Sequence, residues 1–200
     1  MTAQLASHRH WPLNRLPALT GALEPGADMV FDLSPLPRFG LRGSGTAAWL
    51  KAQGVTLPDI VNKVAESDRL RIARLGQDEA LVLPASPSDG AALKSLRDAW
   101  EAAEGVKGYD AYRDEGWCWL RLTGRGTRDA LPLLTAADTR ERAFPVGSVL
   151  QTRAMHLDAV LLCGSDATQV DMFFDVASSD YAAAFLADVL PRHRLVRAAE

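Results

Sequence analysis

One motif occurs twice in this chain, and its spacing limits the folds that the chain can adopt. The run Leu-Arg-Gly-Ser-Gly-Thr at residues 41–46, leading to Leu50, is followed 81 residues later by Leu-Thr-Gly-Arg-Gly-Thr at residues 122–127, leading to Leu131. A second pair keeps the same order at an offset of 91 residues: residues 81–83 before Ser-Asp at 88–89, and residues 172–174 before Ser-Asp at 179–180. This order predicts two related halves, with about ten residues inserted within the second half.

Each half has the periodicity of an α+β unit. In the first half, short strands are predicted at 29–33 and 38–42, a helix at 46–53, and a hairpin of 70–75 and 79–83 around a three-residue loop. A capped helix follows from Ser86 to Gly105. The second half repeats the order with strands at 117–123, 148–154, 157–163 and 169–176 and a helix at 179–190, stopped by Pro191. The predicted fold class is therefore α+β, with two related βαββα-type halves and mixed or antiparallel sheets.

The pattern also divides the chain. Residues 1–28 mix His, Trp and Pro and predict an extended N-terminal arm, able to dock on another surface through Trp11, Leu13 and Leu16. The first half covers 29–105, a polar connection covers 106–116, the second half covers 117–190, and a basic tail covers 191–200.

Composition excludes several classes of protein. Hydrophobic residues make up 48% of the 200 residues, which is enough for a sizeable core. A formal net charge of −3 gives no reason to expect a nucleic-acid partner. Cys118 and Cys163 stand in separate apolar runs and predict two buried, reduced thiols. The sequence shows neither a signal peptide nor a membrane span, so we expect a cytoplasmic protein.

The glycine motif at residues 43–48 has two interpretations. It fits the loose dinucleotide pattern Gly-x-Gly-x-x-Gly/Ala, in which glycines let the backbone approach a phosphate. A hairpin follows instead of a parallel crossover strand, however, and the second copy places Asp129 at the third position. We therefore favour a structural turn between strand and helix that requires glycine backbone angles.

Candidates for catalysis are few. His156 is placed in a strand, His8 and His10 lie in the arm, and His193 is in the tail, so no metal pair or triad is predicted. Asp78 and Glu79 are interpreted as turn residues. Trp117 and Trp119, like Met172, Phe173 and Phe174, are interpreted as core or interface residues. We predict no catalytic residue and no metal site.

An ordered set of short segments gives the chain a family resemblance. Residues 30–34, 39–43 and 49–50 resemble the start of the aminomethyltransferase fold of the glycine-cleavage T-protein family. Residues 57–58, Asn62, 75–79, 144–148 and 151–152 are more similar to the gamma subunits of heterotetrameric sarcosine oxidases. The resemblance runs from about residue 29 to residue 190 and implies a fold like that of the folate-binding aminomethyltransferase domain.

The resemblance implies a function as well. It implies a non-catalytic accessory subunit, with alpha, beta and delta subunits as partners, in an oxidoreductase complex that oxidatively demethylates sarcosine or a related N-methyl amine. The partner subunits, and not this chain, are then expected to hold FAD, FMN, NAD and tetrahydrofolate.

Two alternatives remain open. The first is a free-standing tetrahydrofolate-binding or aminomethyl-transferring protein. The T-protein segment Gly-Gly-Ile-x-Asp-Asp corresponds to residues 64–69 here, where the glycines are missing and Asp68 is the one acid that aligns. Asp68 is thus the candidate folate-site residue of this alternative. The second is a small regulator that binds another ligand between its halves.

Overall fold

The computed structural model describes residue 13, residues 16–19 and residues 24–197. The strands are β1 Met29–Asp32, β2 Phe39–Arg42, β3 Val64–Glu66, β4 Leu70–Gly76, β5 Glu79–Pro84, β6 Tyr109–Asp110, β7 Trp117–Thr123, β8 Ser148–Ala154, β9 Leu157–Cys163, β10 Gln169–Asp175 and β11 Arg194–Arg197. The α-helices are α1 Thr46–Ala52, α2 Gly90–Glu101, α3 Arg113–Gly116, α4 Thr127–Leu134 and α5 Ser179–Val189, and short 3₁₀ turns at Pro87–Asp89 and Val176–Ser178 precede α2 and α5.

The strands form two sheets, which confirms the predicted α+β class. Sheet A has the order β11-β1-β7-β10-β9-β8, and sheet B has the order β3-β4-β5-β2-β6. β1 and β11 pair in parallel, whereas the other pairings within the sheets are antiparallel. The sheets are joined at one side, where Lys63 bridges to Ser148.

Period-2 alternation along the strands divides the core into three clusters. Leu120 and Met172 belong to a cluster that sheet A shares with α4 and α5. Leu41 and Val82 belong to a cluster that sheet B shares with α1 and α2. The third cluster, which includes Phe173, takes its residues from the facing sides of both sheets. The molecule is therefore a four-layer sandwich of helices, sheet A, sheet B and helices.

The predicted repeat appears in the topology of the sheets. The spatial order β2-β5-β4-β3 in sheet B matches β7-β10-β9-β8 in sheet A, and each set follows its first strand with a Gly-x-Gly-Thr turn and a helix. The two halves are thus related in strand order as well as in sequence.

The halves also exchange strands. β1 precedes β2 in the chain but pairs with β7 of sheet A, and β6 precedes β7 but pairs with β2 of sheet B. When β6, which lies in the connection at 106–116, is counted with the half that it leads into, each sheet contains a strand from the other half. The predicted boundaries at 29–105 and 117–190 remain a prediction about sequence units, since hydrogen bonding joins these units in both directions.

Within the described residues, both ends of the chain pack against sheet A and do not form a free arm or a free tail. Leu13 is buried, and Leu16 packs against the same cluster. Ala18 bridges to Arg197 of β11, and the Arg197 amide donates to the Pro17 carbonyl at 2.9 Å. The described part of the arm thus docks on its own sheet A, whereas Trp11 lies outside the described residues. The strand β11 within the basic tail was not predicted.

Most predicted strand and helix bounds agree with the structure to within one or two residues. The strand β3 was not predicted, and three further details differ. The β4–β5 connection is shorter than the predicted three-residue loop, because Gly76 belongs to β4 and pairs with Glu79. The helix predicted from Ser86 to Gly105 is a 3₁₀ turn followed by α2, which ends at Glu101. The connection at 106–116 contains β6 and α3.

Candidate functional site

A buried ionic cluster lies between the two sheets. It consists of Asp171 on β10, Trp119 and Arg121 on β7, and Arg71 on β4. Alternation explains why these polar groups face inward: Leu120 and Leu122 point toward α4 and α5, so Trp119 and Arg121 point toward sheet B. The cluster is thus built from both halves.

Asp171 is the centre of this cluster. One of its oxygens, Oδ1, accepts hydrogen bonds from Trp119 Nε1 and Arg121 Nε, both at 2.7 Å. The other, Oδ2, accepts from Arg121 Nη2 at 3.0 Å and forms an ion pair with Arg71 Nη1 at 2.7 Å. Each oxygen therefore has two N–H groups in contact, and neither is open to take a proton from a substrate.

The two arginines of the cluster keep Asp171 ionised. Burial alone would raise the pKa of Asp171, but the attraction of Arg71 and Arg121 and the hydrogen bonds of Arg121 and Trp119 lower it below the ordinary value. Two guanidinium groups thus face one ionised carboxylate. Two further carboxylates, Glu66 and Asp166, line the cavity beside these guanidinium groups.

A second buried group contains residue types that occur in nucleophilic sites, but it is not arranged for nucleophilic attack. Ser34 Oγ lies 3.2 Å from Cys118 Sγ, and the Ser34 amide donates to Asp32 Oδ1 at 2.9 Å. Burial raises the pKa of the Cys118 thiol to about 12, so the reactive thiolate is not formed at neutral pH. Both cysteines are free and buried, as predicted.

Nearby, hydrogen bonds from Arg38 connect the loop after β1 to the segment around α3. Its guanidinium group is fully buried and donates to the backbone carbonyls of Ser34, Leu36, Arg113, Asp114 and Trp117. Arg38 therefore has a structural role at the point where the two halves cross.

Asp68 lies in an exposed turn beside an open groove. It is exposed in the turn between β3 and β4, where the Leu70 amide donates to Ser67 Oγ at 3.1 Å. An open groove of about 470 Å³ passes this turn between residues 53–56 and Ala92. The groove does not include Arg71, Arg121 or Asp171, so Asp68 and the ionic cluster are separate features.

The histidines are not brought together. His156 is exposed in the β8–β9 turn with a φ of 62°, so its predicted position in a strand is wrong. With Met155, also at positive φ, it forms a two-residue hairpin turn. Burial lowers the pKa of His193, near Asp28. His8 and His10 lie outside the described residues, and within the described ranges no three His, Cys, Asp or Glu side chains form a metal-binding group.

The glycine turns are filled by the protein itself. A Cβ on Gly43 would lie 2.5 Å from the Lys107 carbonyl oxygen, and a Cβ on Gly124 would lie 2.5 Å from the Ala27 carbonyl oxygen. The Gly126 amide donates to Asp28 Oδ1 at 2.7 Å, so a carboxylate of the chain holds the position that a phosphate would take. The structural interpretation of these glycines accounts for both turns.

Sequence reasoning missed the ionic cluster. The available signal was a charge inside an apolar strand: Asp171 interrupts the run from Val170 to Phe174, and Arg71 stands between Leu70 and Ile72. Alternation fixes the face of each charge within its own strand. The pairing of strands from opposite halves decides that these faces meet.

Within the part of the chain that the structure describes, no helix has the length and apolarity needed to cross a membrane.

Comparison with solved structures defines the fold class first. Glycine cleavage system aminomethyltransferase T from Bartonella henselae matches with a TM-score of 0.60 at 13% sequence identity, over 86% of this chain and 48% of that chain. This chain therefore spans about half the length of the aminomethyltransferase. No protein-family model and no curated protein sequence matches the chain.

A second solved structure matches over most of the length of both chains. A chain of heterotetrameric sarcosine oxidase from Corynebacterium sp. U-96, in complex with pyrrole 2-carboxylate, matches with a TM-score of 0.67 at 21% identity, over 85% of this chain and 87% of that chain. The chain thus has the fold that these two proteins share, which confirms the fold resemblance predicted from its sequence.

Proposed function

We propose that this chain is a non-catalytic accessory subunit, of the gamma type, in a heterotetrameric flavoenzyme related to sarcosine oxidase. The observation that carries the proposal is the match to a chain of such a heterotetramer over 85% of this chain and 87% of that one. Two chains of nearly equal extent and common fold are suited to the same position in an assembly. Flavins, nicotinamide nucleotide and tetrahydrofolate would be held by alpha, beta and delta partners, and the complex would act in the cytoplasm on sarcosine or a related N-methyl amine.

The chemistry of the described side chains supports an accessory role. Asp171 has its acceptor sites occupied, the Cys118 thiol is held protonated, and the glycine turns contain the chain's own backbone. In contrast, apolar side chains are available for contact. Tyr112 is 66% exposed, and Leu133 on α4 is 58% exposed.

Purification with partners tests the proposal. The tagged chain should co-purify at fixed stoichiometry with larger chains that show a flavin absorption spectrum and oxidise sarcosine or another N-methyl amine. Tyr112→Glu and Leu133→Glu each place a charge on an exposed apolar position, and weaker capture by one of them would locate the contact surface. A flavin-free, monodisperse monomer would contradict the proposal, as would turnover of a one-carbon donor by the chain alone.

The fold shared with aminomethyltransferase T favours a second candidate, a free-standing tetrahydrofolate-binding or aminomethyl-transferring protein. In this case the open groove beside Asp68 would be the folate site. Titration of the isolated chain with tetrahydrofolate separates the candidates. Saturable micromolar binding that Asp68→Asn weakens would favour the second, and no binding would favour the accessory subunit.

A further inference from the structure

An apolar groove, the α4–α5 groove, lies on the outer side of sheet A between the end of α4, the β8–β9 turn and α5. Its volume is about 450 Å³. Leu133 of α4, which is 58% exposed, and the half-buried Phe185 of α5 line it. Tyr181, 45% exposed, lies one helical turn before Phe185, and the centroids of the two rings are 6.0 Å apart. Neighbouring exposed apolar side chains of this kind mark surfaces that bind a partner.

The β8–β9 turn carries backbone strain at the wall of this groove. Met155 and His156 have φ values of 52° and 62°, in a region where two-residue hairpin turns usually place glycine or asparagine. Met155 is buried and anchors the turn, and the exposed His156 ring lies edge-on to Phe185 with the centroids 5.9 Å apart. Strained residues cluster at binding surfaces, so the turn supports a binding role for the groove.

The backbone groups at this edge of sheet A are already occupied. β8 is an edge strand, but the Thr135 hydroxyl donates to the Arg153 carbonyl at 2.7 Å, and the Met155 amide donates to the Leu134 carbonyl at 2.7 Å. The segment after α4 therefore covers β8 along the groove, and a partner strand cannot pair with β8 at these positions. A partner must bind through side chains, as an amphipathic helix does when it lays its apolar face into a groove.

Acidic side chains flank the apolar centre of the groove. Asp129 lies one helical turn before Leu133 on α4, and Asp188 lies one turn after Phe185 on α5. Both carboxylates are exposed, and neither takes part in an ion pair among the described residues. A partner with lysine or arginine beside its apolar face would therefore be electrostatically complementary.

The basic side chains of this region do not cancel that charge. Arg128, the one base of α4, points away from the groove and donates to three backbone carbonyls of neighbouring loops. Arg153 lies in the groove wall, where it donates to the His156 carbonyl at 2.6 Å and faces the Asp158 carboxylate at 3.9 Å. The helix α5 contains no basic residue. The groove is thus apolar at its centre and acidic along the two helices that form it.

We propose that the α4–α5 groove docks an amphipathic helix of a partner chain. The apolar side chains of that helix would lie against Leu133, Tyr181 and Phe185, and its basic side chains would lie toward Asp129 and Asp188. The proposal deepens the accessory role proposed above and rests on it for the existence of a partner chain. The stripe from Tyr181 to Asp188 rises about 10 Å along α5, so a helix of about two to three turns would cover it.

Binding to the groove is measured first on the full-length chain, with a model peptide helix of leucine and lysine as the probe. The control peptide carries glutamate in place of each lysine. We expect saturable binding of the lysine peptide, binding of the glutamate peptide that is weaker by about tenfold or more, and shifts of the Leu133 and His156 resonances during NMR titration. This measurement needs no flavoenzyme partner and thus reports on the groove alone.

A pair of apolar variants separates the groove from the rest of the surface. Leu133→Ala removes an exposed anchor of the groove and should weaken binding of the lysine peptide by about fivefold or more. Ile60→Ala makes a similar change at a side chain that is 64% exposed and does not line the groove, so it should leave peptide binding unchanged.

A pair of charge variants tests the acidic flanks. Asp129→Lys combined with Asp188→Lys should weaken binding of the lysine peptide by about tenfold or more. Asp98→Lys combined with Glu101→Lys reverses two exposed carboxylates on α2, in the helix layer of sheet B, and should leave that binding unchanged.

The same variants are then compared in co-purification of the tagged chain with flavin-bearing partners, and we expect Leu133→Ala to lose capture while Ile60→Ala retains it. Equal capture by these two variants, or equal peptide binding by them, would overturn the proposal. Self-association of the native chain that Leu133→Ala abolishes would also overturn it, because a second copy would then occupy the groove. Peptide binding that follows the variants, without any flavin-bearing partner, would support the helix site and contradict the accessory role.

Discussion

Two buried carboxylates show how neighbours decide the charge state of a side chain in this protein. Asp171 and Asp32 are 2% and 1% exposed, so burial alone would raise the pKa of both carboxyl groups. Asp171 has two arginines in contact, and its pKa falls below the ordinary value. Asp32 has a hydrogen bond from the Ser34 amide but an unpartnered Oδ2, and its pKa stays raised. Their contributions to stability therefore depend on pH in opposite directions.

The first prediction concerns Asp171→Asn. The substitution removes the carboxylate that pairs with the buried Arg71 and the partly buried Arg121, and we expect a loss of about 3–5 kcal/mol in unfolding free energy at pH 7. Because the folded pKa is lowered, the contribution of Asp171 is complete above the ordinary value of 3.8 and is lost as pH falls through the folded pKa. The gap between variant and native protein should narrow in acid.

Denaturant unfolding across this pH range measures the effect. Asp158→Asn is the control, since the Asp158 side chain is 99% exposed and should change stability little at any pH. A gap for Asp171→Asn that stays constant into acid would contradict the pKa argument.

The second prediction concerns Asp32→Asn and has the opposite sign. The raised pKa of Asp32 means that folding favours its protonated form, a contribution that is complete below 3.8 and is lost as pH rises through the folded pKa. An asparagine can keep the hydrogen bond from the Ser34 amide without the buried charge. We therefore expect the variant to gain stability relative to the native protein as pH rises from 4 to 7, a change that urea titrations at fixed pH would measure. If the unfolding free energy of the native protein instead exceeds that of the variant by a margin that grows toward pH 7, the prediction is wrong.

At the scale of single residues, the sequence predicted which side chains are buried better than it predicted which side chains contact each other. Cys118 was predicted to be a buried thiol and Trp119 to be a core or interface residue, and both are buried in the structure. The partners of Asp171 were not predictable in the same way, because Arg71 lies 100 residues earlier and faces it only after the two sheets stack.

At the scale of elements, the glycine turns explain how the halves can exchange strands. The segment that leads into β6 passes over Gly43, and the segment that leads into β1 passes over Gly124. Both glycines have positive φ, 122° and 116°, in a region that L-residues rarely adopt. The repeated motif thus provides the space in which each half receives the incoming strand of the other.

The third prediction tests this role. In Gly43→Ala the added Cβ would meet the Lys107 carbonyl oxygen at 2.5 Å and Gly108 Cα at 2.6 Å, so backbone must move. Together with the unfavourable φ, this should cost about 3 kcal/mol or more in unfolding free energy. Gly105→Ala is the matched control, because Gly105 has a φ of 70° but nothing within 4 Å of the added atom. It should lose only about 1 kcal/mol.

Thermal denaturation of both variants separates steric contact from backbone strain. Equal losses would show that strain alone fixes these glycines and that the crossing segment does not need the space.

The elements that sequence reasoning found are the longer ones with many apolar side chains. β7, β8 and β9 have the predicted bounds because each is seven residues long and either alternates or, as in β9, ends in a continuous apolar run. β6 has two residues and β11 has four, and both lie at sheet edges, where too few side chains are buried to leave a pattern. The placement of β1 in sheet A is also non-local, since its partner β7 begins about 85 residues later.

At the scale of the whole molecule, the repeat predicted related halves, and the structure shows that they are joined. The sheets share a buried layer, each contains a strand from the other half, and the ionic cluster needs residues from both. Such a body would offer a fixed outer surface to the partners proposed above. Those partners could not be predicted from period or spacing, because both report which faces of a strand or helix are buried and not what the exposed faces contact.

The last prediction follows from the buried layer and the strands that the two halves share. We expect both halves to unfold in one transition. Leu41 and Leu122 occupy equivalent positions in the repeat and are both fully buried, but in separate clusters on the outer sides of the two sheets. Leu41→Ala and Leu122→Ala should each cost about 2–5 kcal/mol and shift the whole transition. Calorimetric and van't Hoff enthalpies should then agree for the native chain and both variants. If the halves were independent, each substitution would displace one of two separate transitions, and the exchange of β1 and β6 would not couple the sheets.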